Sequence, residues 1–276
     1  MTAVAEAVAA GVIGGRLWLY SNYHCNLECS YCLTESGPRV LRRELPVERL
    51  EELAAEAAQV GFNSLGVTGG EPFLVRGLPA ALAGMARQLP TLVLSNGTLF
   101  TAGLIAQLAP LAGLHFAIQI SLDSAEPDVN DEMRGPLNFA KVVAAIPRLR
   151  AAGIKVRIAT TSDGLDPDAL ARLCDLHRSL GVPDEDHVVR PVIRRGRAAE
   201  RGLGVAVERN DLPAELTVTA DGAYWSPFGP TVRAGRLDTD LLVTRTTRPL
   251  AGAAAAMVRL AQDGIAQHGA RPVLVR

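Results

Sequence analysis

Residues 16–32 read RLWLYSNYHCNLECSYC, a short β-rich run followed by a polar loop that holds three cysteines. The first six residues of this stretch are rich in aliphatic and aromatic side chains, which favour a β-strand. Cys25, Cys29 and Cys32 follow with the spacing C-x3-C-x2-C, while the fourth cysteine of the chain, Cys174, stands alone. In a reducing compartment, three thiols in so short a loop indicate a metal centre rather than disulfides.

Outward from this loop, β-rich runs alternate with segments of helical apolar spacing. Strands are predicted at residues 16–21, 64–68, 91–95, 115–121, 154–160 and 187–192. Helices are predicted from Val47 to Val60 between Pro46 and Gly61, from near Leu78, after a cap at Thr101, at 138–153 and from Asp166–Pro167 to Gly181. Pro147 should kink or shorten the fourth of these helices.

Strands that alternate with helices imply right-handed crossovers and a parallel sheet, so the predicted fold class is α/β. We expect residues 1–15 to form an N-terminal tail, frayed or with a short helix, and residues 16–195 to form the core. After residue 195 the composition changes. Residues 215–225, ELTVTADGAYW, predict a β-hairpin with Asp221-Gly222 at its turn, and an Ala-rich helix follows near 250–262. Residues 196–276 are therefore predicted to be a small hairpin-plus-helix appendage.

The three clustered cysteines are the strongest chemical signal. Three thiolates can hold three irons of a 4Fe-4S cluster, and without a fourth nearby cysteine one iron stays open to another ligand. Two alternatives remain at this point. A zinc site needs a fourth ligand, which His24 is poorly placed to supply because it adjoins Cys25. Buried structural cysteines would be the other alternative, although the loop is polar.

Three further motifs end predicted strands in the order found in the radical S-adenosylmethionine superfamily. They are Thr68-Gly69-Gly70-Glu71-Pro72, Ser95-Asn96-Gly97-Thr98 and Ile120-Ser121-Leu122-Asp123. With the cysteine loop, in which Tyr31 supplies the aromatic residue before the third cysteine, they make residues 16–195 resemble that superfamily. The resemblance implies a partial (β/α)6 barrel, one 4Fe-4S cluster and S-adenosylmethionine.

The resemblance also implies roles for individual residues. Gly69, Gly70 and Glu71 would hold the methionine amino group, with Glu71 accepting charge-assisted hydrogen bonds from it. Ser121 would contact the ribose or the carboxylate. Arg134, in a loop after the fourth strand, would pair with the methionine carboxylate. The resemblance also makes Tyr31 and Asn96 candidates for cofactor binding. For Asn96 the local sequence favours another role, because Asn-Gly is a turn signal and an asparagine there is more typical of a residue that fixes its own turn. Asp123 would organise the loop.

The C-terminal hairpin resembles the start of the SPASM or twitch extension found in one branch of this superfamily. Gly196-Arg197-Ala198 resembles a stretch that often precedes that extension. Ser226 stands where a cysteine is common in that branch, and the chain has no cysteine after Cys174. We therefore expect a single cluster with no auxiliary one, and a reaction that is redox-neutral or coupled to an external electron carrier.

Composition limits the other possibilities. A formal net charge of −1 and few aromatic residues give no support to nucleic-acid binding. No apolar stretch predicts a membrane span, and Glu6 in the apolar N-terminus argues against a signal peptide, so a cytoplasmic location is expected. Cys174 lies among apolar residues at helical spacing and is assigned to packing. His177 and His187 are expected to be structural or surface residues.

The predicted function is therefore reductive cleavage of S-adenosylmethionine to a radical that abstracts hydrogen from a substrate. An external low-potential electron donor, similar to flavodoxin or ferredoxin, is the expected partner. About fifteen residues precede the first strand, so no leader-binding domain is expected. The substrate would then be a small-molecule natural product or a peptide presented by another protein. The alternative functions are a non-catalytic binding protein on a degenerate version of the fold and a zinc-binding regulator.

Overall fold

A nine-stranded sheet forms the centre of the computed structural model, which describes residues 1–164, 166–233 and 236–268. The strands are β1 (Arg16–Tyr20), β2 (Ser64–Thr68), β3 (Thr91–Ser95), β4 (Phe116–Ser121), β5 (Lys155–Ser162), β6 (His187–Pro191), β7 (Thr217–Thr219), β8 (Gly222–Tyr224), β9 (Val232–Arg233), β10 (Arg236–Leu237) and β11 (Leu242–Thr244). The helices are α1 (Ala3–Ala9), α2 (Val47–Val60), α3 (Leu78–Gln88), α4 (Ala102–Leu108), α5 (Pro127–Arg134), α6 (Asn138–Ala151), α7 (Pro167–Ser179), α8 (Arg197–Glu200) and α9 (Leu250–His268). Across these described ranges, no helix has the length and apolar character that a membrane crossing requires.

The six predicted strands are confirmed as β1 to β6, with ends that differ from the prediction by at most two residues. They pair in parallel and in chain order, from Arg16 opposite Ser64 to Ser162 opposite Pro191. The sheet stays open within the described ranges, since β6 and β11 are its two edges. Because parallel strands share a direction, the motifs that follow β1 to β4 meet at one edge of this partial barrel.

The C-terminal segment continues the main sheet. The predicted hairpin is confirmed as β7 and β8, which pair across Thr219 and Gly222. β7 also pairs in parallel with β1, and β8 pairs with β11. A hairpin-plus-helix appendage on the core was expected, and backbone pairing with β1 makes its strands part of the same sheet, an effect that no local pattern encodes. The boundary near residue 195 remains a prediction.

The N-terminal segment contains the short helix that was expected. Thr2 caps α1, since its Oγ1 accepts a hydrogen bond of 3.1 Å from Ala5 N. Val4 and Ala7 of this helix are buried in the main core. Residues 3–9 therefore pack on the rest of the chain, where a tail was expected, because the apolar face of α1 finds an apolar surface there.

The sequence signals for helix ends were right for α2 and wrong for α6 and α5. α2 begins after Pro46 and ends at Gly61, whose φ of 114° is a left-handed conformation that favours glycine. The predicted shortening of α6 at Pro147 is wrong, because the helix runs through it. Pro147 lies on the exposed side, where water can hydrogen bond the carbonyl that lost its helical partner. α5 was expected as a loop and is a helix that ends at Arg134.

Candidate active site

A cavity of about 450 Å³ lies against the carboxyl ends of β1 to β6 and extends along the sheet to Arg16. Nine of the ten predicted site residues line it: Cys25, Cys29, Tyr31, Cys32, Gly69, Gly70, Asn96, Ser121 and Arg134. The tenth, Glu71, does not. Residues from five separate stretches of sequence are therefore brought to one place.

The cysteine thiols are free and differ in exposure. Cys25 is buried, while Cys29 and Cys32 are partly exposed. Burial, and then the nearby Glu71 carboxylate, raise the pKa of Cys25 to about 12. A thiolate at this position therefore needs an adjacent cation, which iron would supply.

Three free thiols on one cavity wall fit a 4Fe-4S cluster that leaves one iron open. In the part of the chain that the structure describes, no three or more His, Cys, Asp or Glu side chains form a group that could hold a single metal ion.

The two glycines after β2 hold the cysteine loop against the sheet. Gly70 N donates to Asn22 O at 2.8 Å, and Glu71 N donates to His24 O at 2.9 Å. A Cβ on Gly70 would lie 2.1 Å from His24 O, and Gly69 has a φ of 145°, so neither position accepts a side chain without strain. The two glycines were predicted to let a ligand come close to the backbone. In the structure they let the backbone of Gly69-Gly70 come close to the backbone of residues 22–24.

Glu71 lies behind the cavity wall and is fully buried. Its carboxylate accepts hydrogen bonds from Phe73 N at 3.1 Å, Ser95 Oγ at 3.0 Å and Asn96 N at 2.8 Å. Burial raises its pKa to about 7, although these hydrogen bonds act in the opposite direction. The sequence predicted that Glu71 accepts hydrogen bonds from the cofactor, whereas the structure uses the carboxylate to join the ends of β2 and β3.

Asn96 fixes its own turn, as its Asn-Gly context favoured. Its Oδ1 accepts from Thr98 N at 3.0 Å and from Thr98 Oγ1 at 2.7 Å. Its Nδ2 donates to Asn26 Oδ1 at 2.9 Å and lies 3.6 Å from Cys25 Sγ. Asn96 therefore also connects the end of β3 to the cysteine loop.

Arg134, Asp123 and Tyr31 form a polar group behind the second and third cysteines. Arg134 Nη1 lies 3.0 Å from Asp123 Oδ2 and also donates to the Tyr31 hydroxyl, which in turn lies 2.5 Å from Asp123 Oδ2. Arg134 is only 5% exposed. Asp123 also accepts from Thr161 N at 2.8 Å, so it organises this region as expected.

One nitrogen of Arg134 makes no hydrogen bond among the described residues. Within the described ranges, its buried Nε has no hydrogen-bond partner, and the residue lines the cavity. Ser121 also lines the cavity, and in the same ranges its hydroxyl makes no hydrogen bond to the protein. Both residues therefore line the cavity and carry a polar group that the described residues leave without a hydrogen bond.

Arg197 holds the cysteine loop from the other side, a contact that local sequence could not show. Its Nε donates to Cys29 O at 2.9 Å and its backbone N donates to Cys32 O at 3.0 Å. A Cβ on Gly196 would lie 2.5 Å from Leu33 O, so this glycine allows the approach. The Gly-Arg-Ala stretch noted in the sequence is the only signal that could have indicated it.

Cys174, His177 and His187 lie outside the cavity but contact one another. The ring centroids of the two histidines are 4.3 Å apart, and Cys174 Sγ lies 3.8 Å from His187 Nδ1. The histidines showed no partners in the sequence because α7 and β6 meet only in the folded chain. Cys174 is half-buried, and its assignment to packing remains a prediction.

The sequence pattern of the Radical SAM superfamily matches residues 19–178, more than half of the chain. The match runs from β1 to α7 and contains the cysteine loop and the three motifs that follow β2, β3 and β4. The superfamily consists of enzymes that use a 4Fe-4S cluster and S-adenosylmethionine.

Two curated proteins are similar over part of this region. The mycofactocin maturase MftC of Mycolicibacterium smegmatis is 31% identical over 148 residues, which cover 52% of this chain and 37% of that protein. A GTP 3′,8-cyclase of Rhodopseudomonas palustris is 30% identical over 166 residues, 57% of this chain and 47% of that protein. The aligned part of the chain thus spans less than half the length of either relative.

A solved structure, native anSMEcpe with bound AdoMet and Cp18Cys peptide, has the same fold. The TM-score is 0.62 at 13% identity, and the superposition covers 89% of this chain and 82% of that one. The likeness must therefore include residues beyond 195. Because the superfamily pattern covers more than half of its length, the chain belongs to the Radical SAM superfamily.

Proposed function

We propose that Cys25, Cys29 and Cys32 hold the 4Fe-4S cluster at which this chain cleaves S-adenosylmethionine reductively. The observation that carries the proposal is the single cavity in which three free thiols adjoin the Gly69-Gly70 backbone and the Ser121 hydroxyl. When bound, the cluster supplies one electron to the sulfonium, which breaks into methionine and a 5′-deoxyadenosyl radical that takes hydrogen from the substrate.

Ser121 and Arg134 are the residues proposed to bind S-adenosylmethionine. Ser121 has a free hydroxyl on the cavity wall, which suits the ribose or the carboxylate. The buried Nε of Arg134 suits the methionine carboxylate, because a charge-assisted hydrogen bond would satisfy it. Tyr31 and Asp123 hold the guanidinium group in place through Nη1.

Glu71 acts as a positioning residue in this proposal. Its three hydrogen bonds join the end of β2 to the end of β3. These hydrogen bonds fix the position of the Gly69-Gly70 backbone in the cavity wall. That backbone in turn hydrogen bonds to the start of the cysteine loop, through Gly70 N and Asn22 O. The direct contact between Glu71 and the methionine amino group is not needed for this role.

The C-terminal extension covers part of the cavity in our proposal. Pro227 and Phe228 line it, and Ser226 is fully buried beside them. An apolar cover helps to exclude water from a radical site. Since no cysteine follows Cys174, an auxiliary cluster would have no thiolate ligands in residues 196–276. The reaction is therefore redox-neutral or coupled to an external electron carrier.

The substrate is proposed to be a peptide or a small-molecule natural product, and the reductant an external low-potential electron carrier of the cytoplasm. MftC is named a maturase, and the anSMEcpe structure contains a bound peptide. The GTP 3′,8-cyclase, by its name, acts on a nucleotide.

The direct test is anaerobic reconstitution with iron and sulfide, followed by reduction with dithionite in the presence of S-adenosylmethionine. We expect brown protein that forms methionine and 5′-deoxyadenosine. Metal analysis of the same sample separates the alternatives, since a zinc regulator would retain zinc. Reconstituted protein with a full cluster and no 5′-deoxyadenosine would contradict the proposal and favour a non-catalytic protein.

The iron content gives a further prediction. A single cluster corresponds to about four irons and four sulfides per chain. Colorimetric iron and sulfide analysis, together with electron paramagnetic resonance of the reduced sample, should give that number and a single cluster signal. About eight irons per chain, with two signals, would show that the extension binds an auxiliary cluster through other ligands.

A further inference from the structure

The cavity has a second end, far along the strands from the cysteines, where arginines meet. We call it the arginine end and define it by six lining residues: Arg16, Trp18, Gln119, Arg157, Arg190 and Glu215. Arg16 is the first residue of β1, whose last residue, Tyr20, lies near the cysteines. The arginine end is thus separated from the cysteines by about the length of a strand, on the order of 15 Å.

The charges at this end are not balanced. Three arginines face one glutamate, and Glu215 is already engaged, since its Oε2 accepts a hydrogen bond of 2.5 Å from Trp18 Nε1. Asp186 lies 3.0 Å from Lys155 Nζ and 3.5 Å from Arg157 Nε, so it is shared between two cations. The region therefore keeps a net positive charge.

Several donors at this end are buried without a hydrogen bond. In the described ranges, the Nε atoms of Arg16 and Arg190 are in this state, and Arg157 Nε has only the ion pair of 3.5 Å with Asp186. Gln119, only 3% exposed, also has an unpartnered amide oxygen, and the two ends of such an amide are interchangeable by rotation. A buried donor without a partner costs free energy, which a bound acceptor would recover.

The arginines repel one another in the free protein. Burial, and then Arg16 and Arg157, lower the pKa of Arg190. Burial likewise lowers the pKa of Arg16, although the nearby Glu215 carboxylate raises it, and Arg16 also stacks on the Trp18 ring at 5.3 Å. An anion between these groups would relieve both the repulsion and the desolvation.

The site can be reached by a ligand. Arg16 and Arg157 also line a second cavity of about 340 Å³ at the amino ends of β2 to β4. Arg16 and Arg157 therefore line both cavities. They do not lie in the apolar core.

We infer that the arginine end binds an anionic group of the substrate, a phosphate or a carboxylate, between Arg16, Arg157 and Arg190. This inference rests on the proposed function, because it takes the cysteine end of the same cavity as the place of hydrogen abstraction. Guanidinium groups bind either anion through paired N–H donors. The anion anchors one end of the substrate and directs the remainder toward the cysteines.

The test is calorimetric titration of the reconstituted full chain, with S-adenosylmethionine bound and no reductant, at constant ionic strength. Inorganic phosphate and glutarate are the two probes. We expect saturable binding of at least one, and the tighter probe identifies the class of anion. Arg157→Gln and Arg190→Gln should each weaken it by about ten-fold or more. Arg172→Gln, which removes the same charge from an exposed helix position, should not change it.

If the glutamine variants fail to fold, Arg190→Lys keeps the charge but loses the paired donors, and it should still weaken binding. The inference is overturned if neither probe binds the unmodified chain, or if Arg172→Gln weakens binding as much as the cavity variants. Failure of the proposed function shows separately, as a reconstituted chain that binds phosphate but forms no 5′-deoxyadenosine under reduction.

Discussion

At the cysteine end of the cavity most polar side chains hydrogen bond to one another, and only Arg134 keeps a buried Nε without a partner among the described residues. Glu71 accepts three hydrogen bonds, Asn96 makes four polar contacts, and Arg134 shares Nη1 with two acceptors. At the arginine end Trp18 and Glu215 are paired, but the Nε atoms of both Arg16 and Arg190 have no partner in the same residues.

The difference indicates two kinds of binding. A site for a cofactor of constant chemistry benefits from side chains held rigidly before the ligand arrives. Unpaired cations in a cavity instead indicate a missing anion, so this end is where a variable substrate would be recognised. The predictions below test whether the two ends are as different as their hydrogen bonds suggest.

The largest effect is expected at the cysteines. Replacing Cys25, Cys29 or Cys32 with alanine should remove both the brown cluster absorbance and all 5′-deoxyadenosine formation, because each thiolate is proposed to hold one iron of the cluster. Cys174→Ala is the matched control and should change neither. A folded Cys174→Ala variant without a cluster would show that the fourth cysteine belongs to the metal site.

Glu71→Ala should lower the free energy of unfolding by roughly 2–4 kcal/mol, because it leaves three buried donors without their acceptor. Urea denaturation of the unreconstituted protein measures this. Glu48→Ala, at an exposed position of α2, should change stability by less than about 0.5 kcal/mol. Unchanged stability with weaker S-adenosylmethionine binding would instead restore the direct contact that the sequence predicted.

Arg134→Ala should assemble the cluster but bind S-adenosylmethionine about ten- to a hundred-fold more weakly, since one charge-assisted hydrogen bond contributes about 1.5–3 kcal/mol. Equilibrium titration of the reconstituted protein gives the affinity. Arg172→Ala serves as the control for loss of one positive charge. Equal affinities for Arg134→Ala and the unmodified chain would confine Arg134 to its contacts with Tyr31 and Asp123.

His177 is a buried polar side chain without hydrogen bonds among the described residues, like the arginines, but it does not line a cavity. It is fully buried, its two ring nitrogens have no hydrogen bonds within the described residues, and it lines neither cavity. Burial, and then His187, lower its pKa from 6.5 to about 3. The folded chain carries no proton there between these values, whereas the unfolded chain does, so stability should fall as pH falls from about 6.5 to about 3.

The expected slope from this one histidine is up to about 1.4 kcal/mol per pH unit. His177→Phe should flatten the dependence of the unfolding free energy on pH, as measured by urea denaturation from about pH 4 to about pH 8, and His115→Phe at an exposed position should not. An unchanged slope in His177→Phe would mean that His177 takes up a proton in the folded chain. Whichever slope is measured, His177 differs from the arginine end, because the arginines are charged and line a cavity and His177 lines none.

Much of the fold could be predicted because its signals are local. Alternation of β-rich and helical segments indicated six parallel strands, and Pro46 and Gly61 marked the ends of α2. Cys25, Cys29 and Cys32 indicated a metal site through spacing alone. Ser121, Gly69 and Asn96 were placed at strand ends by their motifs, and parallel strand direction is enough to bring such ends together.

Other features depend on which segments meet in three dimensions, and they escaped prediction for that reason. The pairing of β7 with β1 joins segments almost 200 residues apart, and Arg197 reaches the cysteine loop over a similar separation. Arg16, Arg157 and Arg190 lie on three strands, where each resembles an ordinary polar residue. Sequence by itself indicated six parallel strands and a metal centre in the cysteine loop, since both follow from short-range pattern. Only the tertiary structure decided that Glu71 hydrogen bonds across the ends of β2 and β3 without lining the cavity, and that three arginines line it, because these contacts depend on neighbours supplied by distant strands.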